Sequence, residues 1–369
     1  MKALMFKQSN IKMYITTMNI EELVANSFVA HYDSQTGEDY QRPPVPSHYR
    51  KIAQYFINDN NPILPSAIIA AISESKVKYD EAKAEIMLLD KLRIVDGQHR
   101  IEGIKALKNF STNGARKYED VKMSFGLPVI IMEIKPADEI VEIDAFINLN
   151  SKGKRVKTDL AEALKAKKIS MKNKGDLISK PDADSIAALS MDIVRRIGNK
   201  KECFWKNIII MPDENGNRNK QPISSLAFQR AIKPIVSKYL MQRDTNGLTQ
   251  EDVENEIISI IEYAWNCVTE RWKECFSADG KYDERYNICK GIGVVPLFNI
   301  LAEKGMSVND EINADCVKKY KELLEKSEVK SSDWYIGGTF SGLSSQSGFK
   351  RIERFILGEI SRDELYGDY

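Results

Sequence analysis

Residues 92–103, LRIVDGQHRIEG, predict a strand, a glycine turn and the start of a helix. The β-branched run ends at Asp96-Gly97, and the polar triplet Gln98-His99-Arg100 opens the helix. The first N–H groups of a helix have no partners within it, so this arrangement can hold an anion. Gly97 permits close backbone approach, and Arg100 adds a fork-shaped cation suited to phosphate. A surface turn followed by a helix with Asp96 as its N-cap explains the same pattern equally well.

The composition is that of an ordinary globular protein. The 369 residues are 43% hydrophobic and 29% charged, and the length predicts two domains. With a net charge of only +1, the chain as a whole does not attract nucleic acid electrostatically. Any contact with nucleic acid therefore needs a local patch of positive charge. Five cysteines, an odd number without a C-x-x-C pair, disfavour a disulfide or zinc framework. Together with the absence of a long apolar run, they predict a cytoplasmic protein without a membrane partner.

The periodicity of the apolar residues predicts an α+β fold with two domains. We expect residues 1–168 to form a compact unit of strands and helices, and residues 169–369 to form a mostly helical domain. Trp265 and Trp272 are seven positions apart on an expected helix, which favours a core stripe over base stacking. In the first domain we expect strands over 11–19, 67–72 and 127–134, helices over 20–26 and from Ser47, and a hairpin joining 86–89 to 92–95. In the second we expect helices over 184–198, 223–241, 250–277, 291–304, 312–326 and 347–360.

Three polar segments of the first domain are candidates for one pocket. They are Gln41-Arg42 before a helix, residues 96–100 at the turn, and residues 150–155 after a helix. Guanidinium and backbone N–H groups suit a polyphosphate, and Asp96 suits a magnesium ion or a water. Standing alone, the basic part of residues 150–155 is more typical of a solvated charged turn. The Walker A pattern and the dinucleotide fingerprint are both absent from the sequence.

Residues 96–100 are similar to the motif that names the DGQHR-domain proteins, which include the DndB-type proteins of DNA phosphorothioation systems. The wider pattern, over about residues 10–168, resembles the ParB/sulfiredoxin-like superfamily. A group of restriction proteins in that superfamily pairs Tyr-Gln-Arg with Asp-Gly-Gln-Gln-Arg and a later Asn-x-x-Gly loop. Here Tyr40-Gln41-Arg42 and residues 150–153 (NSKG) occupy the corresponding places. We call residues 96–100 the DGQHR turn.

The resemblance implies a ParB/sulfiredoxin-like N-terminal domain that recognises a nucleotide or a nucleic-acid phosphate. It also implies a setting in DNA modification, its regulation or phage defence. In the helical domain, the basic run of Arg195-Arg196, Lys200-Lys201 and Lys206 is a candidate contact to the DNA backbone, and a solvated helix end is the alternative interpretation. His99 replaces the second glutamine of the restriction-protein motif, so the resemblance does not carry hydrolytic activity over to this chain. The expected phosphate or nucleotide contacts are Gln41, Arg42, Gly97, Gln98, Arg100, Asn150, Lys154 and Arg155.

Two functions fit these residues. The first is a DNA-associated regulatory or accessory protein of a DNA-modification system, with DNA and a nucleotide as partners and homo-oligomers as an allowed state. The alternative is a magnesium-dependent nucleoside triphosphatase, in which Asp96 holds the metal and His99 acts as general base. A histidine that only braces the turn through a backbone hydrogen bond is the competing interpretation of His99.

Overall fold

The computed structural model describes residues 1–110, 112–135, 139–151, 158–173, 176–179, 181–214, 220–277, 280–309 and 311–366. The chain divides into two compact units by its internal packing. Unit 1 comprises Met1–Asp33 and Glu38–Val156, and unit 2 comprises Ser34–Gly37 and Lys157–Tyr369. Strands concentrate in unit 1 and helices in unit 2, which confirms the predicted α+β class. Independent domains over 1–168 and 169–369 stay a prediction.

Unit 1 is built on a six-stranded mixed sheet with the order β1-β2-β8-β4-β7-β3. Strands β4 and β8 run parallel, whereas β7 runs antiparallel to β4. The strands of unit 1 are β1 Ala3–Gln8, β2 Ile11–Asn19, β3 Ser27–Phe28, β4 Ile68–Ser73, β5 Val77–Asp80, β6 Glu85–Leu88, β7 Leu92–Asp96 and β8 Gly126–Ile134. Its helices are α1 Ile20–Ala25, α2 Pro46–Asn58, α3 Gln98–Ala106, α4 Thr112–Ser124 and α5 Glu139–Ser151.

The core of unit 1 lies between one face of this sheet and four helices. Alternate residues of each strand point to the same face, so Tyr14 and Met18 of β2 join Ile68 of β4 and Ile94 of β7 there. Helices α1 to α4 contribute Leu23, Phe56, Ile104 and Val121, all of them buried. This packing fixes the direction in which β7 leads into α3.

The predicted hairpin between residues 86–89 and 92–95 is wrong. Strand β6 pairs with β5, from Val77↔Leu88 to Asp80↔Glu85, in a separate two-stranded ribbon. Strand β7 instead lies inside the large sheet, between β4 and β3. Leu92 and Ile94 are fully buried there, so the sheet interior covers more apolar surface than a surface hairpin would.

Unit 2 is mostly helical and has an aromatic core. Trp205, Trp265, Trp272 and Trp334 are all buried, which confirms the core interpretation of Trp265 and Trp272. None of the helices in the described part of the chain is long and apolar enough to cross a membrane. The helices of unit 2 are α6 Thr158–Lys172, α7 Ala183–Asn199, α8 Ser225–Gln242, α9 Gln250–Arg271, α10 Gly291–Ile300, α11 Lys318–Lys326 and α12 Gln346–Ile356, and a two-stranded ribbon pairs β9 Ile209–Ile210 with β10 Ile223–Ser224.

Candidate functional site

The DGQHR turn joins β7 to α3 through a glycine in the left-handed region. Gly97 has a φ of +105°, and it is the N-cap of α3, with no side-chain hydrogen bond to the first turn. A Cβ at this position would lie 2.5 Å from Ile68 Cδ1 and 3.0 Å from Arg100 Nη2. Both the backbone conformation and the space therefore require glycine. The interpretation of Asp96 as the N-cap is wrong, because the cap is Gly97.

Asp96 and Arg100 brace the turn from within. Arg100 Nη2 donates to Asp96 Oδ2 at 2.9 Å, and Nη1 donates to the backbone carbonyl of Ser66. Burial lowers the pKa of Arg100, and the neighbouring Asp96 opposes that shift. The guanidinium stays charged because it ionises far above neutral pH, and it keeps donors beyond the two in use. The Asp96 side chain remains 39% exposed.

His99 accepts a hydrogen bond at Nε2 from the backbone N–H of Val45, over 3.1 Å. The second nitrogen of a neutral ring then carries the proton. Burial lowers the pKa of His99, the nearby His48 lowers it further, and Asp96 acts in the opposite direction. The rings of His48 and His99 are 5.3 Å apart, edge to face. A neutral His99 with Nε2 engaged fits a bracing role better than that of a general base.

Gln41 and Gln98 place two buried amide groups beside the turn. Gln41 is fully buried, and its Nε2 donates to the carbonyl of Ile94 on β7. Gln98 is 9% exposed, at the first position of α3. Among the described residues, the Oε1 atoms of both side chains have no hydrogen-bond partner. A buried acceptor without a partner costs about 1–3 kcal/mol, so each oxygen favours a donor from water or a ligand.

The segment of Gln41 and Arg42 lies along the turn. Gln41 is bonded to β7, Val45 is bonded to His99, and His31 Nδ1 donates to the carbonyl of Arg42 at 3.0 Å. Two of the three predicted segments therefore meet in unit 1. The backbone of Asn150 lies in the last turn of α5, while its side chain, Lys154 and Arg155 lie outside the described residues.

A charged network that the sequence patterns did not predict lies at the other end of β7. Glu142 of α5, 1% exposed, accepts a hydrogen bond of 2.6 Å from Tyr40 Oη. Arg93 donates to both of its carboxylate oxygens, with Nη2 at 2.8 Å from Oε2. Burial, more than the charge of Glu142, raises the pKa of Tyr40 far above its usual range. The position of Tyr40 beside Gln41 was the one signal in the sequence.

The described residues contain no cluster of three or more His, Cys, Asp or Glu side chains placed to hold a metal ion. Asp96 therefore stands as a single carboxylate. Magnesium bound with a nucleotide needs only one or two protein carboxylates, since phosphates and waters fill its remaining positions. Asp96 is chemically suitable for that role, at the cost of its ion pair with Arg100.

The protein therefore combines an α+β unit with a helical unit in one chain. In the α+β unit, strand β7 leads through Gly97 into α3, whose N-cap makes no side-chain hydrogen bond. Residues 1–179, just under half of the chain, match the family model described as DndB: DNA-sulfur modification-associated. This match confirms the resemblance to DndB-type proteins over residues 1–179. It supports involvement of the protein in a DNA sulfur-modification system. Neither a curated protein nor a solved structure matches the chain.

Proposed function

We propose that this protein is a DNA-binding regulatory or accessory component of a DNA sulfur-modification system, and that the DGQHR turn holds a phosphate group. The DndB-family match supports the setting. We further propose that the same turn binds a nucleotide and that the N-terminal domain is ParB/sulfiredoxin-like. Homo-oligomers and a part in phage defence belong to the same proposal. We also propose the cytoplasm as its compartment, since all five cysteines are free thiols.

The observation that carries the proposal is the start of α3. Its N-cap is Gly97, which makes no side-chain hydrogen bond to the first turn, so the N–H groups there can receive an anion. Gln98, nine-tenths buried, adds a polar atom without a partner among the described residues. Its Oε1 is a buried acceptor, so it suits a donor as small as a water molecule beside the bound phosphate.

Fluorescence anisotropy with a labelled DNA duplex tests the proposal. We expect binding that weakens as salt increases, and a loss of at least about tenfold in affinity for Gly97→Ala. Gly247→Ala controls for the positive φ alone, because Gly247 has a φ of +82° and open space around its Cβ position. The melting temperature of Gly97→Ala shows whether its contact with Ile68 has unfolded the protein. The control should bind like the wild type. Absence of salt-sensitive binding by the wild type at low ionic strength would overturn DNA binding, and equal losses in the two variants would overturn the role of the turn.

The alternative function is magnesium-dependent hydrolysis of a nucleoside triphosphate at the same turn. The half-exposed carboxylate of Asp96 beside the start of α3 favours it, whereas the engaged Nε2 of His99 disfavours it. Release of inorganic phosphate by the wild type and by Asp96→Ala separates the two functions. A rate in the wild type that falls at least about a hundredfold in the variant establishes hydrolysis. Equal rates of phosphate release in the two proteins, or no release in either, would contradict hydrolysis at the turn. Phosphate binding would then be its only proposed function.

A further inference from the structure

Positive charge is concentrated in one short part of this nearly neutral chain. Residues 152–172 contain eight lysines and arginines and two acidic residues, a local net charge of +6, while the whole chain carries +1. The rest of the chain therefore carries −5. A local excess of positive charge of this size attracts a polyanion to this stretch. The described part of this stretch is α6, in unit 2.

Helix α6 has an apolar face and a lysine face. Leu160, Ala163 and Leu164 are buried, and the helix packs against α7. Lys165, Lys168 and Lys172 follow one another at spacings of three and four, so they form one stripe away from the buried face. At about 1.5 Å of rise per residue, the stripe is about 10 Å long. That length spans several phosphates of a duplex, which carries about one charge per 1.7 Å of its axis.

Two of the three lysines of this stripe, Lys165 and Lys172, are exposed. Lys165 is 3.3 Å from Asp184 in an ion pair whose side chains are 57% and 62% exposed. Exposed pairs of this kind are weak and exchange readily for another anion. Lys172 is exposed and Lys168 is half-buried. Long lysine side chains can pack their stems against the protein while the ammonium group stays within reach of a ligand.

We propose that the lysine stripe of α6, Lys165, Lys168 and Lys172, is the surface that contacts the phosphate backbone of duplex DNA. The proposal rests on DNA binding by this protein but not on the DGQHR turn. Lysine ammonium groups recognise phosphates without reading bases, so contact through this stripe is independent of sequence. It supplies affinity and salt dependence, and any sequence preference belongs to other residues.

The test is the slope of log affinity against log salt concentration for the full-length protein and a DNA duplex. Each phosphate contact contributes about 0.9 to this slope, so Lys165→Gln, Lys168→Gln and Lys172→Gln combined should lower it by about 2.7. The control combines Lys318→Gln, Lys319→Gln and Lys326→Gln on α11, which removes the same charge from another helix. It should leave the slope within about 0.5 of the wild type. Replacing the α6 lysines by arginine should preserve the slope.

The outcomes separate this inference from the proposed function. A wild type that does not bind the duplex overturns both. Binding by the wild type with equal changes in the two glutamine triples overturns only the assignment to α6. Tighter α6-dependent binding to anionic phospholipid vesicles than to DNA also overturns it, since a membrane surface would then be the ligand. Because glutamine is a good helix former, matching melting temperatures are expected and confirm that the variants fold.

Discussion

Both ends of strand β7 carry polar residues, but they differ in whether every buried polar atom among the described residues has a hydrogen-bond partner. At the Arg93 end, Tyr40 and Arg93 both donate to the buried carboxylate of Glu142, and Arg93 also donates to Ser73 Oγ. At the Asp96 end, an uncapped helix begins, and Gln98 keeps an oxygen without a partner among the described residues. Burying polar groups is costly unless they are paired, so an unpaired end is tolerated where a ligand or water completes it. We infer that the first end is structural and the second functional.

The largest effect is expected from Glu142→Ala at the structural end. The substitution removes a 1% exposed carboxylate to which both Tyr40 and Arg93 donate, which should lower the free energy of unfolding by about 3 kcal/mol. Urea unfolding measures this change, and DNA affinity of the folded variant should stay within about twofold. Glu119→Ala, which removes an ion pair with a 63% exposed carboxylate, is the control and should cost less than about 0.5 kcal/mol. Comparable costs would contradict the structural assignment.

Tyr40→Phe should have the next largest effect. The variant keeps the buried ring but removes the hydroxyl that donates to Glu142, a hydrogen bond to a charged acceptor worth about 1.5–3 kcal/mol. A double-mutant cycle with Glu142→Ala measures the coupling. If the two losses of unfolding free energy are additive, Tyr40 and Glu142 do not form one network. The structural role of the Arg93 end of β7 is then contradicted.

Gln98→Met should separate stability from binding at the functional end. Methionine has a similar length and removes the unpaired oxygen, so we expect unchanged stability or a gain of about 1 kcal/mol. DNA or nucleotide affinity should fall at the same time. Gln54→Met on an exposed position of α2 is the control and should change neither quantity. Lower stability with intact binding would show that Gln98 has a structural role.

The smallest effect is a pH dependence from His99. Burial lowers the pKa of His99 in the folded protein below its unfolded value, about 6.5, so the unfolded chain binds more protons in this range. The contribution of His99 to stability is therefore present above about pH 6.5 and is lost as the pH falls through the folded pKa. Urea unfolding at several pH values should show this slope in the wild type and less of it in His99→Gln. An identical slope in both proteins would remove His99 from the bracing contacts.

Local sequence patterns predicted most individual elements of unit 1 but not their pairing. The alternation in residues 11–19 and the helical spacing after Ser47 match β2 and α2 closely, because each depends on a residue's nearest neighbours. Pairing depends on the whole sheet, so the hairpin prediction for β6 and β7 was wrong. The DGQHR turn was predictable because its motif is continuous. Glu142 was not, because its partners Arg93 and Tyr40 are 49 and 102 positions away.

The four residues Ser34–Gly37 have a practical consequence for dissecting this protein. They belong to unit 2, although the chain on both sides of them belongs to unit 1. Asn199 and Arg195 donate to the carbonyls of Ser34 and Gln35, and Asp213 accepts from the N–H of Ser34. A truncated fragment ending near residue 156 would keep these four residues and lose all three partners. Deletion of the helical half would therefore also disturb the loop of residues 34–37. In a shortened protein this loop would be exposed, and it leads directly to Tyr40 and Gln41.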